Sequence, residues 1–182
     1  MSKKSVIIFE GIESSGKTFH ISNVSKYLKK KGIDHIKIRE PGGNRNSELI
    51  RKLILNKKSK FNSFTDLMLY FAARSENIEK IINKFYNKKI ILVDRFTDST
   101  LAYQHYGMGL NKFLIINIKK ILLKKIKPRI IFLNLINEKN LKKRLNLRKK
   151  KNRYDNFKIE FYKKVQNGFL KLSKNKRNYI LI

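Results

Sequence analysis

Cysteine is absent from the 182 residues, which excludes disulfides and thiolate metal sites. Histidine is scarce, and His20, His35 and His105 show no ligand spacing, so no zinc centre is expected. No apolar run approaches the roughly 18 residues that a membrane span requires. Met1-Ser2-Lys3-Lys4 leads straight into the first apolar stretch and leaves no room for a signal peptide, so a cytoplasmic location away from membranes is expected. Acidic residues are the other shortage. Thirteen Asp and Glu face 44 Lys and Arg, a formal net charge of +31, and residues 119–182 alone hold 22 of the basic and 3 of the acidic residues. That balance suits nucleic acid or an anionic surface. Yet Lys, Ile and Asn dominate throughout, as AT-rich coding would produce, and no recognition helix, RNP motif or zinc finger locates the charge. The expectation is nonspecific attraction to polyanions at low salt, with no specific nucleic-acid partner. Arginines kept in so Lys-biased a chain are worth following, because the planar guanidinium binds phosphate bidentately.

One stretch carries specific chemistry. Gly11-Ile12-Glu13-Ser14-Ser15-Gly16-Lys17-Thr18 fits G-x-x-x-x-G-K-[ST], the phosphate-binding P-loop. Gly11 and Gly16 let the backbone curl so that its N–H groups point at phosphate oxygens. Lys17 brings a compact cation to the β- and γ-phosphates, and the Thr18 hydroxyl is a hard oxygen ligand for Mg²⁺. Ser5-Val6-Ile7-Ile8-Phe9 before it reads as a buried strand, and Ile21, Val24 and Leu28 after it recur at helical spacing until Gly32. A helix N-terminus therefore faces the phosphates. All eight loop residues are the expected ATP-binding set.

Further along, residues 33–39 read as a second strand, Glu40-Pro41-Gly42-Gly43 as a turn, and Ser47 as the cap of a helix carrying Leu49, Ile50, Leu53 and Ile54. Thr65 opens a long helix that reaches Phe85, and Ile90-Ile91-Leu92-Val93-Asp94 is a buried strand ending in an acid. Segments 97–106 and 110–126 read as helices, 130–136 as a strand and 138–147 as a helix. A Lys/Arg segment at 148–155 reads as a mobile lid before a helix ending near Leu172, and 179–182 is a last apolar run. This alternation predicts an α/β protein, a parallel sheet with helices on both faces, in one domain over 1–182. Ligands of such sheets bind beyond the carboxyl ends of the strands. Asp94 falls there and reads as a Mg²⁺ ligand, direct or through water; the other use of an Asp there is to cap the following helix. Arg95 reaches the same crevice.

Arg39-Glu40-Pro41-Gly42-Gly43, then Tyr70-Phe71-Ala72-Ala73-Arg74, then Asp94-Arg95-Phe96 with Ser99-Thr100-Leu101-Ala102-Tyr103-Gln104, resemble the successive motifs of thymidylate kinases. With the P-loop and the basic lid, the resemblance covers nearly the whole chain. It implies a P-loop nucleoside monophosphate kinase fold, with a five-stranded parallel sheet flanked by helices on both faces. It also implies transfer of the ATP γ-phosphoryl group to dTMP with Mg²⁺, and a homodimer. By the same resemblance Glu13 contacts the sugar 3′-hydroxyl, Arg74 donates to the thymine O4, and Tyr70 stands where a Phe usually stacks on the base. Ser99, Thr100 and Gln104 lie near the base edge, Tyr103 disfavours ribonucleotides, and Arg95, helped by Arg39 or Arg51, holds the dTMP phosphate.

Phosphoryl transfer needs positive charge on the migrating group, and the variable P-loop positions Ile12, Glu13, Ser14 and Ser15 supply none. The chain resembles family members that bring arginine from the lid, here about 144–156. Arg148 and Arg153 are the expected charge-stabilising pair, with Arg144 third; Lys17 and Arg95 complete the catalytic set. The sequence departs from the family in three places. Asn134 replaces a strand Asp, Lys149 stands where the lid usually has Gly, and the sequence stops at Ile182, before the usual adenine loop and final helix; the expectation is either a shortened form or a less completely held adenine, the second of which would raise the KM for ATP. Two alternatives stay open: another nucleoside monophosphate kinase, and a basic P-loop protein that binds nucleic acid without catalysis.

Overall fold

Strand β1 (Val6–Glu10) is apolar on both sides, so it needs cover on both. Ile7 and Phe9 pack on one face with Ile90 and Leu92 of β3 (Ile90–Asp94), under Ile21, Val24 and Leu28 of α1 (Lys17–Lys30). Val6 and Ile8 pack on the other with Ile91 and Val93, under Ile78, Ile82 and Leu123. Period-2 alternation in these two strands thus fixes a sheet clad in helix on both faces, as expected.

The computed structural model describes residues 5–123, 126–149 and 152–182. The expected lead-in at 1–4, part of the helix expected to reach 126 and the middle of the expected lid at 150–151 lie outside them. The order is β1, α1, β2 (His35–Arg39), α2 (Arg45–Leu55) and α3 (Ser63–Asn77), which runs through a π-helical turn Ile78–Ile82 into α4 (Asn83–Phe85). After β3 come α5 (Thr97–Thr100), continued by a π-helical stretch Leu101–Gly107, then α6 (Lys112–Leu123), β4 (Pro128–Leu133) and α7 (Glu138–Asn146). A 3₁₀ turn Arg153–Asn156, α8 (Ile159–Ser173) and β5 (Tyr179–Leu181) complete the chain. The five strands are all parallel, in the order β2-β3-β1-β4-β5.

Three expected boundaries move for identifiable reasons. Strand β2 starts at His35 because Ile33 closes α1 instead: its N–H donates to Leu28 O at 2.9 Å beside Gly32, which has φ +65°. Ser47 does not cap α2. Asn44 does, with its side chain accepting from Ser47 N at 3.0 Å, while the Ser47 hydroxyl donates to Ala73 O and ties α2 to α3. The long helix opens at Ser63 under an Asn62 cap, two residues before Thr65.

Candidate active site

The P-loop leaves β1 where Gly11 has φ +136°, a conformation L side chains rarely adopt. A Cβ on Gly11 would also lie 2.4 Å from Asn134 O and 2.8 Å from Ser15 Oγ, so only glycine fits between the loop and the end of β4. Gly16, at φ +99°, caps α1. Lys17 is buried, donates to Ile12 O at 2.7 Å, and is pushed down to about 8 by burial and then by the neighbouring Arg95. Glu13, Ser14, Gly16, Lys17 and Thr18 line a cavity of about 650 Å³. Gly11, Ile12 and Ser15 form the loop behind it, and the Ile12 side chain belongs to the core.

Across the sheet edge the chain turns sharply at Arg95, whose φ of +66° is unusual for a non-glycine residue. The turn aims its guanidinium back at the P-loop. It donates to Gly11 O at 2.8 Å and to Glu13 at 2.9 Å, and lies 5.1 Å over the Tyr103 ring. The Tyr103 hydroxyl donates to the other Glu13 oxygen, and burial pushes that hydroxyl well above its ordinary range, so it stays a donor. Asp94 lines the cavity with Thr18; Phe96 holds the cap position before α5 and no side chain caps that helix, so Asp94 is not used as one.

The opposite wall is built on α3 and the 97–107 helical segment. Arg74 is 2% exposed, donates to Glu40 at 2.6 Å, to Thr100 Oγ1 at 2.8 Å and to Phe96 O at 3.0 Å, and lies between the Phe71 and Phe96 rings. Tyr70, Ser99, Thr100, Tyr103 and Gln104 line the cavity beside it. Gln104 Nε2 is buried without a partner, an open donor at the cavity, and Glu40 Oε1 on the same wall is likewise buried and unpartnered, an open acceptor. Arg39 and Arg51 line the rim; Arg39 pairs with Glu48 at 3.1 Å and Arg51 donates to Pro41 O at 2.6 Å.

The arginines of the expected lid segment divide. Arg144 lines the cavity and donates to Ser14 O at 2.8 Å, and Arg148 lines it while paired with Asp155. Arg153, expected beside Arg148 on the migrating group, is turned elsewhere: one nitrogen binds both oxygens of Asp66 at 2.7 and 2.6 Å. Of these three arginines, Arg144 and Arg148 line the cavity and Arg153 does not. A buried carboxylate holds Arg153 more firmly than solvent does, and it is not among the cavity-lining residues.

Residues 9–182 match the thymidylate kinase family model. A thymidylate kinase of Sulfurihydrogenibium sp. (strain YO3AOP1) is 38% identical over 97% of this chain and 86% of its own length. One of Caldanaerobacter subterraneus subsp. tengcongensis is 36% identical, covering 97% and 85%. The crystal structure of thymidylate kinase from Ehrlichia chaffeensis superposes with a TM-score of 0.82 at 32% identity, covering 98% of this chain and 88% of that one. The chain belongs to the thymidylate kinase family. Membership makes it an enzyme, a dTMP kinase, and neither a sister kinase nor a non-catalytic nucleic-acid binder is favoured. Among the described residues no helix is long and apolar enough to cross a membrane.

Sequence reasoning missed Glu10, which ends β1 wholly buried. Its carboxylate accepts from Phe96 N at 2.9 Å, Ser99 N at 3.2 Å and the Ser99 hydroxyl, and so holds the turn that aims Arg95. Burial raises it to about 7, with Ser99 pulling down and Asp98 pushing up. The available signal was an acid closing an apolar strand, the same signal that exposed Asp94. Tyr154 was missed as well; it lines the cavity and meets Tyr70 and Tyr103 edge to face at 6.0 and 6.3 Å.

Proposed function

We propose that this thymidylate kinase binds ATP along the P-loop and dTMP against the α3 wall, with both reacting groups meeting in the one cavity. The observation that carries this is the convergence there of Lys17, Arg95, Arg144 and Arg148 with Asp94 and Thr18. A dTMP phosphate oxygen attacks the γ-phosphorus, the bond to the β–γ bridging oxygen breaks, and ADP leaves. No general base is required, because positioning and fixed charge carry this reaction class. Lys17 gives up Ile12 O for the β- and γ-phosphates, and Arg144 and Arg148 supply charge to the migrating group. Arg95, assisted by Arg39 and Arg51, holds the dTMP phosphate. Arg74 and the open Gln104 donor meet the base, Tyr70 stacks on it, and Ser99 and Thr100 border its edge. Glu13, fixed by Arg95 and Tyr103, accepts from the sugar 3′-hydroxyl, and the Tyr103 ring disfavours a 2′-hydroxyl.

The donor set fits Mg²⁺. Thr18 and Asp94 offer hard oxygen, and among the described residues no group of three or more His, Cys, Asp or Glu forms a protein-only metal cage. Such a pair leaves positions for phosphate oxygens and water, the way Mg²⁺ is usually held. When bound, the ion neutralises charge on the β- and γ-phosphates. We further propose a single domain over 1–182, a homodimer through the apolar side chains that α2, α3 and α6 leave in solvent, and a cytoplasmic setting.

The test is ADP release from Mg·ATP by the purified chain, offered dTMP, dUMP, UMP, dGMP and AMP separately, with an EDTA control. The rate with dTMP should exceed the others and vanish with EDTA. Equal rates with UMP and dTMP would overturn the role given to the Tyr103 ring.

A further inference from the structure

Asp66 lies in the first turn of α3, 4% exposed, and its carboxylate takes both hydrogen bonds from one nitrogen of Arg153. The Tyr154 hydroxyl donates to the same carboxylate at 3.4 Å, and the other terminal Arg153 nitrogen donates to Ser59 O at 3.4 Å. The guanidinium fork is thus committed to α3 and to the loop before it. Moving Arg153 to the phosphates would strand a buried carboxylate without its cation, which is strongly unfavourable.

What Arg153 holds is the turn it begins. Asn152 caps that turn by accepting from Tyr154 N at 2.8 Å, while Asp155 accepts from Asn152 N at 2.7 Å. The Tyr162 hydroxyl donates to Tyr154 O from α8. Two side chains of the turn then act on the cavity. Asp155 pairs with Arg148, and the Tyr154 ring closes the aromatic wall against Tyr70 and Tyr103.

We propose that Asp66 and Arg153 are a positioning pair for phosphoryl transfer. They form a buried strut from α3 to the 153–156 turn, which sets Arg148 through Asp155 and sets Tyr154 against the dTMP side. Arg153 acts through these neighbours and does not touch the migrating group. The kinetic part of this inference rests on the kinase reading above; the structural part does not.

The experiment compares Asp66→Asn, Arg153→Gln and the pair of substitutions together, which removes both charges and so avoids a stranded buried ion. Each of the three should lower kcat by a similar factor, on the order of ten-fold, with the pair no worse than the worse single change, as expected for coupled neighbours. The KM for dTMP should rise and that for ATP should move little. Added to Arg148→Ala, Asp66→Asn should cost little more in kcat. Independently of activity, trypsin should cut the unliganded Asp66→Asn chain after Arg148 and Lys149 on the order of ten-fold faster than the unchanged protein, because local opening becomes cheaper. An inactive unchanged protein would sink the kinase reading, while the digestion would still decide on the strut. The inference is overturned by an unchanged digestion pattern. It is equally overturned if Arg153→Gln loses a thousand-fold in kcat while Asp66→Asn loses nothing, since Arg153 would then act on the phosphates directly.

Discussion

Lys17 is placed for chemistry at the expense of stability. Burial leaves it with a pKa near 8, against 10.5 for an ordinary lysine, so the folded protein disfavours its charge. The sign follows: the cost is fully present below pH 8 and is relieved as pH rises from 8 towards the unfolded value. A shift of that size corresponds to about 3 kcal/mol. Lys17→Met should therefore raise the thermal midpoint of the unliganded protein at pH 7 while lowering kcat on the order of a thousand-fold or more, the scale of a lost phosphate clamp. A lowered midpoint would show that the ammonium is well solvated. Glu10 behaves in the opposite sense. Raised to about 7, it favours the folded state when protonated; that contribution is present below pH 4.5 and is lost as pH rises through 7. Glu10→Gln should match the unchanged protein at pH 4 and exceed it by up to about 3 kcal/mol at pH 8.5 in urea titrations. A difference that stays constant with pH would rule out this burial account. Residues of this kind separate what a sequence discloses from what it hides. The P-loop and Asp94 are legible because their chemistry is tied to local spacing. The bond from Glu10 to Ser99 joins positions 89 apart, and nothing in a run of Lys and Arg distinguishes Arg153 from Arg144.

At the scale of elements, β1 and β3 are legible because two-sided burial leaves an unbroken apolar run, whereas helix geometry inside a run is not. Leu101–Gly107 reads as ordinary helix but is π-helical, and it carries Tyr103 and Gln104 into the cavity. Its position against α8 depends on close approach. A Cβ on Gly168 would lie 2.7 Å from Tyr106 Cβ, and one on Gly107 would lie 2.8 Å from Phe161. Gly168→Ala gains about 1 kcal/mol in helix propensity, yet it forces the α8 pair apart at a cost of about 1–3 kcal/mol. The second effect should prevail, because Tyr106 meets the new atom with its own Cβ, which cannot swing away. A lower urea midpoint together with a raised KM for dTMP is the expected result. A higher midpoint would mean that the two helices separate freely and that their spacing does not position Tyr103. Helix ends follow the same lesson: Asn44 outcompetes Ser47 as a cap because Ser47 is drawn to Ala73 O on a helix that is remote in sequence.

For the whole molecule the decisive quantity is the charge of +31, plain in the composition although its distribution over the surface is not. Two copies of such a chain repel one another. The proposed dimer instead draws on apolar side chains exposed on α2, α3 and α6, among them Leu49, Leu53, Phe64, Ile121 and Phe113, which is 77% exposed. Burial of apolar surface is insensitive to screening, whereas repulsion is cut as the Debye length falls from about 10 Å at 0.1 M salt to about 3 Å at 1 M. Added salt should therefore tighten the dimer. The same salt should weaken retention on DNA by orders of magnitude, because that attraction is counterion release from phosphate, and should lower kcat/KM for the anionic substrates more gently through loss of steering. Sedimentation equilibrium and DNA-cellulose retention across 50 to 500 mM salt give the two trends in one series. Opposite slopes are expected. A dimer that dissociates as salt rises would place ion pairs rather than apolar contact at its interface, and the exposed side chains of α6 would then need another explanation.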